Sequence, residues 1–139
     1  MIKVKLYKNY ERKSPEKIVF KMSGHAGAAP AGEDLICAAA TAYMWQLVEA
    51  VKGAYKQGWL LKKPRINING IYISHYVTNN DVLPSEVLER IAQAPEDAKT
   101  RITICPKAEY VKTVNLLATM TATGFDWLAK QFPEYVKLN

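Results

Sequence analysis

Cysteine and histidine are scarce in this sequence, with two of each in 139 residues. Cys37 and Cys105 are far apart and neither belongs to a CxxC pair, so a disulfide scaffold is excluded and a reducing compartment is expected. His25 and His75 offer no metal-ligand spacing, and no metal or other cofactor is expected. Long apolar runs are missing too. The longest, Leu35 to Ala40 extended through Trp45, is interrupted by Thr41 and falls short of the ~20 residues that span a bilayer. The opening MIKVKLYK alternates instead of forming the apolar run of a secretory signal. Together these absences point to the cytoplasm. A phosphate-binding loop is also excluded, because Gly24, Gly27 and Gly32 lack its spacing and its following Lys or Ser.

What remains is an ordinary globular composition, 49% hydrophobic and 23% charged, with a net charge of +6. That size and composition suit one core, hence a single domain over 1–139. A basic balance attracts nucleic acid and acidic partners. Here the cations are scattered in sequence, from Lys3, Lys5 and Lys8 to Lys17 and Lys21. Only Lys62 to Arg65 form a tight cluster, which a solvated loop explains. Nucleic acid is therefore not the expected partner, although a basic RNA- or ribosome-binding module stays open as a competing class.

Ile2 to Lys8 and Lys17 to Met22 both alternate with period two, which predicts a hairpin of half-buried strands. Gly24 to Gly32 is a small-residue loop. A long helix is expected from Asp34, its N-cap, to about Tyr55. Apolar residues spread over most of its circumference, the pattern of a central, buried helix. Ile66 to Val77 reads as β-rich and broken at the tight-turn dipeptide Asn69-Gly70, with His75 as a sheet residue. A short helix is expected from about Pro84 to Ala92, a strand over Arg101 to Cys105, and a last helix from about Ala108 to Gln131. The fold class is α/β of the α+β kind: a mainly antiparallel sheet packed by two long helices, with a short inserted helix. Tyr43, Trp45, Phe125 and Trp127 read as core or subunit contact.

On that skeleton His25 leaves a strand end and Cys37 enters on the first turn of a helix. With Asp34 as N-cap, Cys37 falls at the third helical position, where unpaired N–H groups and the positive end of the macrodipole favour a thiolate. An imidazole beside it takes the thiol proton and returns it to a leaving amine. The helix amides can hold an oxyanion. The bland readings stand beside this one. Cys37 among Leu35, Ile36 and alanines also fits a small buried hydrophobe, His25 a turn residue and Asp34 a cap alone. Cys105 reads as core.

Ser23-Gly24-His25-Ala26, a small-residue loop, then Gly32-Glu33-Asp34-Leu35-Ile36-Cys37-Ala38-Ala39 closely resemble a bacterial family, the ribosomal-processing cysteine proteases called Prp. Its signature is a GHA motif, a glycine-containing loop and a G-x-D-[IVL]-[IVL]-C-A motif opening a helix. The resemblance also covers the initial hairpin and the final helix ending in Gln131-Phe132-Pro133-Glu134-Tyr135-Val136-Lys137-Leu138. It implies a Cys-His dyad of Cys37 and His25 with Asp34 in support and a substrate loop containing Gly24, Gly27 and Gly32. It further implies a cytoplasmic homodimer that removes an N-terminal extension from a large-subunit ribosomal protein, or processes a phage capsid or scaffold precursor. Against that pattern the chain carries an insertion at about 78–99. A catalytically inactive interaction protein of the same fold is the remaining alternative.

Overall fold

The computed structural model describes residues 1–9, 17–24, 34–79, 81–95 and 97–139. The alternating N-terminus forms the expected hairpin. β1 (Ile2–Asn9) and β2 (Lys17–Ser23) pair antiparallel, from Lys3 opposite Ser23 to Asn9 opposite Lys17. α1 (Leu35–Lys56) follows, then β3 (Arg65–Ile68) and β4 (Ile71–Tyr72). Two short helices, α2 (Ser74–Thr78) and α3 (Ser85–Ala92), lead into β5 (Lys99–Ile104). A 3-10 turn at Ala108–Tyr110 opens α4 (Val111–Gln131), and β6 (Val136–Leu138) ends the fold.

The sheet has six strands in the order β4-β3-β5-β2-β1-β6. Every pairing is antiparallel except β1 with β6. Ile2, Val4, Ile18, Phe20, Ile66, Ile102 and Ile104 point inward and are buried. α1 and α4 pack on that face. Phe125 of α4 meets Phe20 of β2 with ring centroids 5.6 Å apart and Tyr43 of α1 at 5.7 Å, joining three elements at one point. Fully burying such a ring contributes roughly 2–3 kcal/mol.

Three sequence expectations need correction. The β-rich reading of Ile66 to Val77 holds only as far as Tyr72. Asn69 and Gly70 take the left-handed conformation, with φ of 51° and 86°, and make the tight turn. After it the chain coils into α2, because Ile73 and Val77 are both buried and one helical turn apart. The Ser74 hydroxyl accepts the Ile66 N–H at 2.7 Å and anchors the new helix to β3. His75 is accordingly an exposed helical residue beside Asn79, not a sheet residue. Second, α1 is not enclosed on all sides. It buries Ala40, Met44, Leu47, Val48, Val51 and Ala54, while Leu35 is 82% exposed and Ala38 and Ala42 face outward. Alanines make a helix look apolar without supplying area that must be covered. Third, a strand follows α4 where the sequence pattern shows none: the three residues of β6 are too few to display a period.

Two helical glycines separate packing from propensity. A Cβ on Gly53 would meet nothing within 4 Å. Gly53→Ala should gain about 0.5–1 kcal/mol and raise Tm. A Cβ on Gly124 would sit 2.7 Å from the Tyr43 ring, which is itself pinned on Phe125. Gly124→Ala should lower Tm, since overpacking costs roughly 1–3 kcal/mol. Thermal melts of the two variants check both signs.

Candidate active site

Leu35, Ile36 and Cys37 form the first turn of α1. Asp34 stands in an extended conformation before it, and its Oδ1 accepts the backbone N–H of Cys37 at 2.9 Å. One of the helix's orphan donors is thereby satisfied, and Cys37 is held at the third helical position, as expected. The Leu35 and Ile36 amides have no carbonyl one turn back, so their dipoles still point out of the helix end. Cys37 is half-buried.

Cys37 lines a cleft of about 170 Å³ at the end of the sheet. Met22, Ser23 and Gly24 bring the end of β2 to the same cleft. Gly24 has a φ of 88°, and a Cβ there would overlap the Met1 carbonyl oxygen. Only glycine lets the chain leave β2 at that angle with β1 so close. The residue after it is His25. His25, Gly27 and Gly32 lie outside the described residues, so of the expected site the structure places Gly24, Asp34 and Cys37. It joins Asp34 to Cys37 by a hydrogen bond, and Gly24 and Cys37 as lining of one cleft.

The opposite wall has no counterpart in the sequence motifs. Asn69 also lines the cleft. Its side-chain amide donates to the Ile91 carbonyl at 3.1 Å, and its backbone N–H donates to Thr100 Oγ1 at 3.1 Å. The Thr100 hydroxyl returns a hydrogen bond to Asn69 Oδ1 at 3.2 Å. One asparagine thus ties the β3–β4 turn to the end of α3 and the start of β5. Trp45, expected as core or subunit contact, belongs here as well. It stands two turns along α1 from Cys37, with Thr41 between them, and all three line the cleft. Past Trp45 a second groove of about 330 Å³ continues along Val48 and Lys52 toward Tyr76, Leu83 and Leu88. Four-residue steps from Cys37 would have found Trp45. Nothing local marks Asn69 beyond its turn. The second free cysteine, Cys105, is buried elsewhere and lines a different trough. Among the described residues no group of three or more His, Cys, Asp or Glu side chains is placed to hold a metal.

The model of the family described as cysteine protease Prp matches residues 1–137. Similar solved structures include the essential ribosomal processing protease Prp of S. aureus with a covalently linked product peptide. It is 18% identical, with a TM-score of 0.59, covering 100% of this chain and 98% of that one. The same S. aureus protease with a substrate peptide matches at 18% identity and a TM-score of 0.52, with coverages of 100% and 98%. A Streptococcus mutans protein matches at 18% identity and a TM-score of 0.55, covering 100% of this chain and 92% of its own. No curated protein matches the chain. At this identity the likeness to solved structures carries the fold.

Removing the cap isolates its structural part. Asp34→Ala should cost about 1 kcal/mol, visible as a drop of a few degrees in Tm. Asp34→Asn should recover most of it, because an amide oxygen accepts the same bond. Equal losses in the two variants would mean that the carboxylate's charge, rather than the cap geometry, stabilises this turn.

Proposed function

This chain belongs to the Prp family of cysteine proteases, and from that premise we propose that it is a cysteine endopeptidase whose nucleophile is Cys37 and whose base is His25. His25 takes the thiol proton, and the sulfur attacks the scissile carbonyl carbon. The carbonyl oxygen becomes an oxyanion facing the first turn of α1, where the Leu35 and Ile36 amides stand. Collapse of the tetrahedral species breaks the C–N bond, and the imidazolium gives its proton to the leaving amine. Water, deprotonated by the same imidazole, then attacks the thioester. The carboxylic acid leaves and the thiol is regenerated.

The observation that carries this reading is the position of Cys37. Its amide is fixed by Asp34 at the positive end of α1, and it lines the cleft reached by Ser23 and Gly24, the two residues before His25. Asp34 supports the dyad by holding the nucleophile's backbone. The segment from Gly24 through Gly27 and Gly32 is the substrate loop.

The substrate is the N-terminal extension of a large-subunit ribosomal protein or of a phage capsid or scaffold precursor. The S. aureus structures, which hold a substrate peptide and a covalently linked product peptide, support a peptide substrate here. An extended chain would run from Cys37 past Trp45 into the adjoining groove. The whole chain forms one Prp-like domain with an insertion at about 78–99. That insertion lends Ile91 and Pro95 to the cleft, which gives it a part in choosing the substrate. The protein works in the cytoplasm as a homodimer. Leu116, Met120 and Trp127, more than half exposed on α4, supply an apolar face for the second copy.

A thiol alkylator should label Cys37 quickly and the buried Cys105 slowly in the folded protein. His25→Ala should slow labelling of Cys37 by about two orders of magnitude, the scale of general-base assistance. Equal rates in both forms would remove the dyad. Offered a ribosomal and a phage precursor, the wild type should shorten one of them. Cys37→Ala should cleave neither while melting at the same temperature, and cleavage by that variant would place the nucleophile elsewhere.

A further inference from the structure

Among the described residues, nine basic ones stand on the six strands and no acidic one does. Off the strands the described cations are outnumbered by acids, eight to nine, so the strands carry the positive excess of the described residues. Pairing register gathers charges that look scattered in sequence. α1 and α4 cover one face of the sheet, and alternation sends Lys3, Lys5, Lys17, Lys21, Arg65, Lys99, Arg101 and Lys137 to the other. One row crosses five strands as Lys5, Lys21, Arg101, Asn67 and Tyr72, each directly opposite the next. A second row sets Lys137 beside Lys3, then Ser23, then Lys99. None of the eight outward strand cations is ion-paired among the described residues, where the ion pair formed is Lys130 with Asp126 on α4.

From this juxtaposition we propose that the open face of the sheet is a binding surface for single-stranded RNA. Like charges placed directly opposite destabilise a sheet. Edge lysines that block aggregation explain Lys137, but not Lys21 and Arg101 on the two central strands. A polyanion explains both. The central row spans four interstrand gaps, about 19 Å at ~4.8 Å each, and so offers a line of cations to successive phosphates. Two shallow troughs, of about 810 and 420 Å³, lie along this face. Lys5 and Lys21 both approach the Tyr7 ring, at 5.0 and 5.6 Å, which holds their ammonium groups over the sheet. Tyr72 ends the central row, 54% exposed, and its ring offers a platform on which a base can stack. An anionic membrane fits less well. The other large apolar residues that are strongly exposed, such as Val82, Leu116 and Trp127, stand off the strands. An acidic protein has no use for the stacking platform.

The test titrates the full chain with a fluorescein-labelled mixed-sequence RNA of about ten nucleotides, a typical site size, at several salt concentrations. The variant Lys5→Gln/Lys21→Gln/Arg101→Gln should bind more weakly. Its salt slope should shrink by about two, at ~0.7 for each phosphate no longer neutralised. Relief of cross-strand repulsion should keep its Tm at or above that of the wild type. Tyr72→Ala should weaken binding about tenfold with the slope unchanged, the signature of stacking. Failure of the wild type to bind at low salt, or a triple variant that binds equally well, would overturn the proposal. So would equal binding of duplex RNA, of polyglutamate, or of phosphatidylserine vesicles, which would reassign the face to a duplex, an acidic protein or a membrane. Alkylation of Cys37 is measured on the same variants and should not change, which keeps this result separate from the proposed protease chemistry.

Discussion

A sheet whose helical cover, among the described residues, lies on one side is the constraint from which the rest of this structure follows. Two long helices cannot wrap a six-stranded sheet, so each strand must serve two environments at once. Val4, Phe20 and Ile102 are buried, while their neighbours Lys5, Lys21 and Arg101 are exposed. The same alternation that drives Phe20 against Phe125 drives charge to the other surface. A register slip of one residue along β1, β2 or β5 would bury lysine and arginine without partners, which costs several kcal/mol per ion. The cations therefore help specify pairing even though they repel one another across it.

One-sided cover also decides where a cleft can form. α1 lies over the sheet, but its first turn reaches the sheet's end, where β2 finishes and the β3–β4 turn closes. Apolar side chains such as Ile2, Met44 and Ile68 form its floor but leave a cleft. Polar geometry fixes its walls: Asp34 on the Cys37 amide at one, and Asn69 bridging Ile91 and Thr100 at the other. Gly24 admits the chain where any side chain would strike β1. Few interactions are involved, each short and directional.

How much of this is legible in the sequence depends on range. The hairpin, the start of α1, Asp34 as its cap and Cys37 at the third position are local, written in alternation and in the Asp34-Leu35-Ile36-Cys37 spacing. Gly24 stands out as part of a motif, but its reason, the Met1 carbonyl, lies across a strand pair. β6 and α2 escape for related causes. Val136–Leu138 is a strand only because β1 offers an unpaired edge. Ser74–Thr78 is a helix because Ile73 and Val77 must both be buried and the Ser74 hydroxyl accepts the Ile66 N–H, a partner distant in sequence. The enclosed reading of α1 fails because counting alanines as apolar overstates the area a helix needs to hide. His75 changes role with the segment that carries it. The charged face is invisible for the plainest reason, since Lys5, Lys21 and Arg101 are sequence-distant and only the pairing places them in one row.

The end of β2 links cleft and open face most directly. Met22 and Ser23 line both the cleft that holds Cys37 and the trough framed by Lys3, Lys21 and Lys99. Successive strand residues point to opposite faces and cannot move independently. Anything seated on the trough is thus set at a fixed place relative to the cleft that Cys37 lines. The field of exposed lysines fades over a Debye length of about 8 Å at physiological salt. The charged face and the apolar groove along α1 thus reach the Cys37 cleft from two directions, one at the end of β2 and the other beyond Trp45.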